Sequence, residues 1–422
     1  MTSALLLFWP LLIGFFLTRA LAARCGFLLG ICFGAGLGVG VVSCCFFLDR
    51  ETGVPSLLFE ALVLAASMAA CRRKRQASPP HDTIPVAWWL MAAFVVVVAG
   101  ALYSFQQQVS QYRLGSWDAW AIWNLHARFL ATPAWRDLFS EAIGWTHPDY
   151  PLLIPGFIAR VWTLQAHREF ATPAALAFLF TFGTIGLLGT SVSQLRGRAQ
   201  GILAALFLAA TPYFIAQGAS EIADVPLSFF ILATVSSLAC RQAALAGVCA
   251  GMAAWTKNEG LLLIAVLLAV RGWRKQGAWF IAGLAPMLAI VLFFRFTLAT
   301  SNYYFGGRPA GEMLSLLTDP DRWRVTGAGL FRYAGWFGGL AAYLGLAGVD
   351  TKTHRFTLLT GFATLCLVLA GYCAVCVLTP GDIHWQIDTA LERLLLQLWP
   401  ATLFLAFLAA RNPWYDAPQG NA

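Results

Sequence analysis

Residues 26–48 read GFLLGICFGAGLGVGVVSCCFFL, and no charged side chain appears until Asp49. A helix needs about 17 to 25 apolar residues to cross a bilayer, so this run predicts a transmembrane helix. Comparable stretches begin near Ala4, Val54 and Val86, and after a polar interval near Phe170, Ala199, Val225, Ala243, Gly260, Gly277, Gly327, Phe356 and Leu394. Backbone groups in hydrocarbon must be paired within their own segment, which makes helices the natural reading. The expected fold class is all-α, a polytopic transmembrane helix bundle of about thirteen spans.

Composition agrees. Of the 422 residues 59% are hydrophobic and 11% charged, whereas a soluble globular chain is about a quarter charged. That excludes a water-soluble enzyme with an ordinary polar surface, a disordered chain and a nucleic-acid-binding chain. The 17 Trp and 32 Phe suit lipid and its interfaces. The net charge of +8 reads as topology and attraction to anionic headgroups of membrane lipids. The ten cysteines lie in or at the ends of the expected helices and read as small packing residues. No Lys or Arg precedes the first apolar run, so a cleaved secretory signal is not expected.

Orientation comes from the short basic loops. These are Arg72-Arg73-Lys74-Arg75, Arg196 with Arg198, Arg271 with Arg274 and Lys275, and Lys352 with Arg355. All four face the cytoplasm if residues 151–167 do not span but lie in the interface or re-enter. Pro151, Pro155, Gly156 and Arg160 in that stretch fit the condition. Outer segments are then 105–169, 220–224, 257–259, 299–326 and 379–392, with 411–422 a short solvated tail. The chain divides into N-terminal transmembrane helices (1–104), a central module with its large outer loop (105–297, loop 105–169), and a C-terminal outer loop with transmembrane helices (298–422).

Polar residues in these outer segments are the candidates for chemistry. Residues 115–124 read GSWDAWAIWN. Helical spacing puts Trp120, Trp123, Ala127 and Leu130 on one face of an amphipathic helix on the bilayer, with Asp118 elsewhere. Asp118 is either a catalytic carboxylate or a helix-capping residue. In WTHPDYP, His147 and Asp149 sit in a rigid turn and orient each other or a substrate, or serve the turn alone. Asp224, with Pro226 just inside a helix, fits an N-cap. Glu221 does not, and a carboxylate pair at the mouth of a membrane cavity is costly unless it binds something. Lys257 and Glu259 either pair with each other at the interface or serve a ligand. Arg393 either snorkels to headgroups or binds a phosphate.

Taken together, these segments resemble the GT-C superfamily of integral-membrane glycosyltransferases. The likeness is strongest to the branch with protein mannosyltransferases, the lipid A aminoarabinose transferase and the family 39-like bacterial proteins. WDAWAIWNLHARF at 117–129 places an Asp after a spanning helix in the first large outer loop. HPDYPLL at 147–153 resembles a His-Pro-Pro-Leu-Tyr stretch, and SEIADVPLSFFILA at 220–233 an Ala-Asp-Pro-Leu helix start. GMAAWTKNEG at 251–260 resembles a Gly-x-x-x-x-x-Lys-x-x-Gly turn, and TPGDIHWQIDTALERLLLQLWP at 379–400 is a weaker echo. Two features depart from the pattern. About three spanning segments precede the Asp118 loop where members commonly have one, and the acidic pair common there is Asp118 followed by Ala119.

The resemblance implies a sugar donor on a polyprenyl phosphate or diphosphate, and a lipid or glycan acceptor at the outer face. It implies a bacterial inner membrane with the site facing the periplasm or exterior. On that reading Asp118 is the general base, and Lys257 and Arg393 stabilise the leaving phosphate. His147, Asp149, Glu221, Asp224 and Glu259 complete a substrate-binding set. A divalent metal is the one cofactor the resemblance raises. Two other readings stay open: a transporter or flippase of lipid-linked sugars, and a lipid-linked glycan polymerase or ligase, which the arginines at 308, 322, 324 and 332 would serve.

Overall fold

The computed structural model describes residues 3–22, 25–73, 86–166, 168–270, 276–300 and 306–411. Nineteen α-helices alternate with short 3-10 and π turns, and a lone Val349–Ala410 bridge is the only β pairing among the described residues. The chain is an all-helical membrane protein. The run that opens the sequence analysis forms Phe27–Thr52, a 26-residue helix. It lies inside the bundle, with 83% of its apolar window buried. It packs against Ser3–Leu21, Ser56–Arg73, Leu153–Gln165 and Ala171–Arg196.

Two more helices complete the centre. Asp224–Ala239 and Glu392–Ala409 pack on each other and are buried along most of their length. A helix enclosed all round carries apolar residues all round, and both do. The rim is the reverse. Trp88–Gln111 is only 17% buried and exposes Trp88, Val95, Val96 and Tyr103. Gly277–Thr297 and Arg355–Val377 expose Trp279, Phe296, Phe356 and Leu359. Such belts suit hydrocarbon, where apolar exposure carries no penalty.

Six helices are long and apolar enough to cross a membrane, or up to seven if the bent pair Arg198–Ala209 and Pro212–Ala219 is one span. The expected count of about thirteen is therefore not reached by full-length helices among the described residues. Several apolar stretches stop short. Asp224–Ala239, Ala243–Thr256 and Glu259–Val270 have 16, 14 and 12 residues. At about 1.5 Å per residue each falls short of the roughly 30 Å hydrocarbon core. Polar turns and prolines break the chain where hydropathy alone runs on.

Leu153–Gln165 is also short, at 13 residues, as the orientation argument requires of 151–167. It does not lie on a surface: Leu153 to Trp162 are all buried. Inside, Arg160 donates to Glu60 from Nε (3.1 Å) and Nη2 (2.6 Å), and the Trp9 indole donates to Glu60 at 2.8 Å. This buried, two-pronged pair fixes the helix against Ser56–Arg73.

Glu392–Ala409 also defines two ends of the bundle. At its C-terminal end Arg196 donates to the Ala410 carbonyl, the Asp350 amide to Ala409, and the Arg411 amide to Gly348. Arg196, Lys352 and Arg411 thus gather there, while Arg393 stands at the opposite end. Lys74, Arg75, Arg271, Arg274, Lys275 and the tail 412–422 lie outside the described residues.

Gly38 in the opening run meets the Pro10 carbonyl of Ser3–Leu21, and any Cβ there would collide with it. Gly38→Val is expected to separate these helices and lower the melting temperature in detergent by several degrees, on the order of a well-packed core substitution. Gly100→Ala, with nothing nearby, is the control expected to leave it unchanged. Equal melting temperatures for both variants would refute the crossing.

Candidate functional site

Asp224 is the hub. It opens its helix with Pro226 in the first turn, but Ala223 holds the N-cap position. The expected capping role is thus replaced by side-chain contacts. Asp224 is 1% exposed, and its carboxylate accepts four hydrogen bonds or charge contacts. Oδ1 accepts from Lys257 Nζ at 3.0 Å and Gln397 Nε2 at 2.6 Å. Oδ2 accepts from Arg393 Nε at 2.9 Å and lies 2.9 Å from its Nη2. A buried charge is tolerable only when paired and hydrogen-bonded, and here every partner comes from outside the Asp224 helix.

Arg393 carries the network outward. Its Nη1 donates to Asp118 Oδ2 at 2.8 Å, and both side chains are 27% exposed. Asp118 makes no capping bond to its own helix, so the capping alternative does not describe it. Two π-helical stretches set this pair. Ala119–Trp123 follows Asp118 directly, and Ile387–Leu391 runs into Glu392 and Arg393. Such π segments are rare and frequent at functional sites.

The wider winding also corrects an expected register. Trp123, Ala127 and Leu130 are buried, but Trp120 is 46% exposed. Regular α spacing would have kept it with them; the π turn rotates it away. The single expected amphipathic helix is instead Ala119–Trp123, then Asn124–Leu130, then two 3-10 turns. Exposed Trp120 joins exposed Trp117 and Trp145, at ring separations of 5.9 and 6.2 Å along the chain Trp120–Trp117–Trp145.

Lys257 links the hub to a second cluster. Its Nζ also lies 2.9 Å from Glu259 Oε1, so the expected Lys257–Glu259 pair is present and extended to Asp224. The next residue, Asn258, donates to Asp149 Oδ2 at 2.8 Å and accepts from Arg295 Nη2 at 2.8 Å. Arg295 Nη1 also donates to the Asp149 carbonyl at 3.1 Å. His147 Nδ1 is 4.0 Å from Asp149, and its ring stacks on Tyr150 at 4.7 Å, which stacks on Trp123. Burial pulls the His147 imidazole below its usual range, against the opposing pull of Asp149.

Glu221 stands apart in kind. It is 6% exposed, and neither carboxyl oxygen has a hydrogen-bond partner. Burial pushes its carboxyl up to about 8.

Asp118, Asp224, Lys257, Glu259 and Arg393 therefore form one connected network. Asp149 and His147 form a neighbouring cluster with Asn258 and Arg295, which adjoins the network along the chain at Lys257–Asn258, and Glu221 lies on the turn that leads into Asp224. Sequence reasoning missed Gln397 and Arg295. Gln397 was findable, since it follows Arg393 by one helical turn and shares its face. Arg295 sits at the end of an apolar helix, where it reads as an ordinary flanking charge. Among the described residues no three His, Cys, Asp or Glu side chains group closely enough to hold a metal ion. No protein-family model, no curated protein and no solved structure matches the chain.

Removing one member of a buried ion network strands the others, at about 3–5 kcal/mol. Asp224→Ala is therefore expected to lower thermal stability in detergent clearly more than Asp118→Ala, whose pair is partly solvated. The reverse order would show that Asp224 is not the hub.

Proposed function

We propose that this chain is a membrane glycosyltransferase of the GT-C type, moving a sugar from a polyprenyl-phosphate donor to a lipid or glycan acceptor. The observation that supports it best is the convergence of Asp118, Asp224, Lys257 and Arg393 from four separate segments onto one ion network at helix ends. Transfer needs a base for the acceptor and a cation for the leaving phosphate, side by side, and this network holds both.

The reaction proceeds as follows on this reading. The acceptor oxygen bonds to the anomeric carbon as the carbon–oxygen bond to phosphate breaks. The electron pair of that bond leaves on the phosphate, and the acceptor proton passes to Asp118. Arg393 is the accessible cation, whereas Lys257 is 7% exposed and already holds two carboxylates. Lys257 therefore acts by fixing Asp224, and Arg393 meets the phosphate. A phosphate on the outer edge of Arg393 competes with Asp118 for the guanidinium. Its arrival frees Asp118 Oδ2 to take the acceptor proton, which couples donor binding to the base. His147 and Asp149 hold the acceptor, and the shorter apolar helices lie within the membrane beside the longer spans.

The ligase reading draws less support. Arg308 donates to the Leu378 carbonyl, and Arg322 to Val377 and Thr379. Arg332 pairs with Asp388, and Arg324 with Asp321. These arginines are engaged in capping a helix end and in local pairs.

Asp118→Asn is expected to abolish transfer while the protein folds and inserts; near-normal transfer by the purified variant would exclude Asp118 as base. Arg393→Ala is expected to weaken donor use about ten- to a hundredfold, with Arg393→Lys recovering only part, because an ammonium lacks the bidentate fork. Full activity in the Lys variant would assign Arg393 to snorkelling instead.

On this reading the site faces outward and Arg72 lies in the cytoplasm. Impermeant thiol reagents applied to intact cells should label a cysteine at 118 and spare one at 72, on a background without native cysteines. The opposite pattern would remove the proposed inner-membrane orientation and with it the outward-facing reaction.

A further inference from the structure

Glu221 occupies a position that packing alone does not favour. Its backbone has φ of 60°, a left-handed conformation that is costly for a residue with a Cβ. The turn is pinned there by the Asp118 loop: the Ser116 amide donates to the Ser220 carbonyl at 3.1 Å. Gly115 is pressed against the same turn, so that a Cβ on it would stand 2.8 Å from the Ser220 oxygen and 3.0 Å from the Glu221 Cβ. The Glu221 side chain is thereby held between the segment that presents Asp118 and the helix start that presents Asp224. Both of those carboxylates hold Arg393.

The charged and titratable groups on the neighbouring segments are Arg113 and Asp118 on the loop, Asp224 on its own turn, Lys257, Arg393 with Glu392, and Tyr213 on the preceding helix; none of them shifts the Glu221 carboxyl, which burial alone raises. None hydrogen-bonds the Glu221 carboxyl, whose two oxygens are both buried and unpartnered. A buried polar group without a partner is costly and calls for an explanation, and an ionised one far more so. The group therefore holds its proton at neutral pH, with the O–H as a donor lacking an acceptor. The ion network that Asp118 and Asp224 share already contains two cations and three carboxylates. An incoming phosphate enters a region short of positive charge, and needs neutral donors.

We propose that Glu221 is a neutral carboxylic acid of the donor site, whose O–H donates a hydrogen bond to an oxygen of the prenyl phosphate that Arg393 binds. No bond to the glutamate is made or broken; the contact strengthens as negative charge develops on the departing phosphate. This deepens the glycosyltransferase reading and rests on it. It also gives the two carboxyl groups opposite roles set by environment: Asp118 is paired with Arg393, and Glu221, unpaired and buried, is protonated.

Binding of farnesyl phosphate to the full chain in detergent, followed by calorimetry at pH 7 and pH 9, tests this without requiring sugar transfer. The phosphate is dianionic across that window, so its own titration adds little. With the Glu221 carboxyl at about 8, raising the pH replaces a donor with a repelling carboxylate. Wild-type affinity should fall about tenfold between the two pH values. Glu221→Gln keeps an N–H donor and cannot ionise, so it should bind near the wild-type level at pH 7 and hold that level at pH 9. Glu221→Ala should bind about tenfold more weakly at both.

A Gln variant as weak as Ala at pH 7, or one that loses affinity at pH 9 as the wild type does, would overturn the role of Glu221. So would wild-type binding that does not change with pH. Failure of the wild type to bind farnesyl phosphate at either pH would overturn the donor reading itself. Inorganic phosphate, binding equally well and with the same pH dependence, would keep the Glu221 contact and overturn the prenyl source.

Discussion

The buried carboxylate of Asp224 is the constraint on which the site depends. At 1% exposure it can stay ionised only with its hydrogen-bonding capacity filled. Lys257, Arg393 and Gln397 fill it, and each is delivered by a different turn or helix from the one Asp224 begins. The result ties the start of Asp224–Ala239 to the end of Ala243–Thr256 and to the start of Glu392–Ala409. Asp224–Ala239 and Glu392–Ala409 are at the centre of the bundle, so polar geometry near their ends and apolar packing along their lengths reinforce each other. The Asp118 loop is then fastened from outside by the remaining edge of Arg393. A hub of this kind makes the outer contact, between Asp118 and Arg393, the easiest one to exchange. It is partly exposed, whereas the inner contacts are not.

Much of this was legible as a pattern of interruption. In a chain of long apolar runs, the charges at 118, 224, 257, 259 and 393 stand out because each flanks a run. Their convergence follows from helices of alternating direction returning to the same end. What the sequence did not reveal was length and winding. Asp224–Ala239, Ala243–Thr256 and Glu259–Val270 look like full spans to hydropathy, which sums side chains and does not register where backbone turns break the helix. The exposure of Trp120 was invisible for a related reason. Its position follows from a π turn, and a helical wheel drawn at regular α spacing cannot contain one. Gln397 passed unnoticed inside an apolar run, although its spacing from Arg393 was in plain view. Arg295 could be assigned to Asp149 and Asn258 only by tertiary structure.

Arg393 itself sharpens the case for function. It lies within the continuous helical run Ile383–Ala409, just past the π segment Ile387–Leu391, toward the N-terminal part of the run and far from the C-terminal turn whose dipole favours a cation. Its charge would be more comfortable at the other end, where Arg196 and Arg411 gather around the last carbonyls. Helix Glu392–Ala409 separates these two ends by 18 residues, about 27 Å at the usual rise, close to the thickness of a hydrocarbon core. The basic end needs no special account, because cations and helix C-termini attract. The other end does. Holding a guanidinium there takes two carboxylates, one of them fully buried and itself dependent on a lysine and a glutamine. Packing alone would be served better by an apolar side chain at 393, since a buried ion network is often no more stable than its hydrophobic replacement. A structure that instead assembles a costly, nearly balanced set of charges around one partly exposed arginine fits the proposed function, in which that arginine meets the anionic phosphate of the donor.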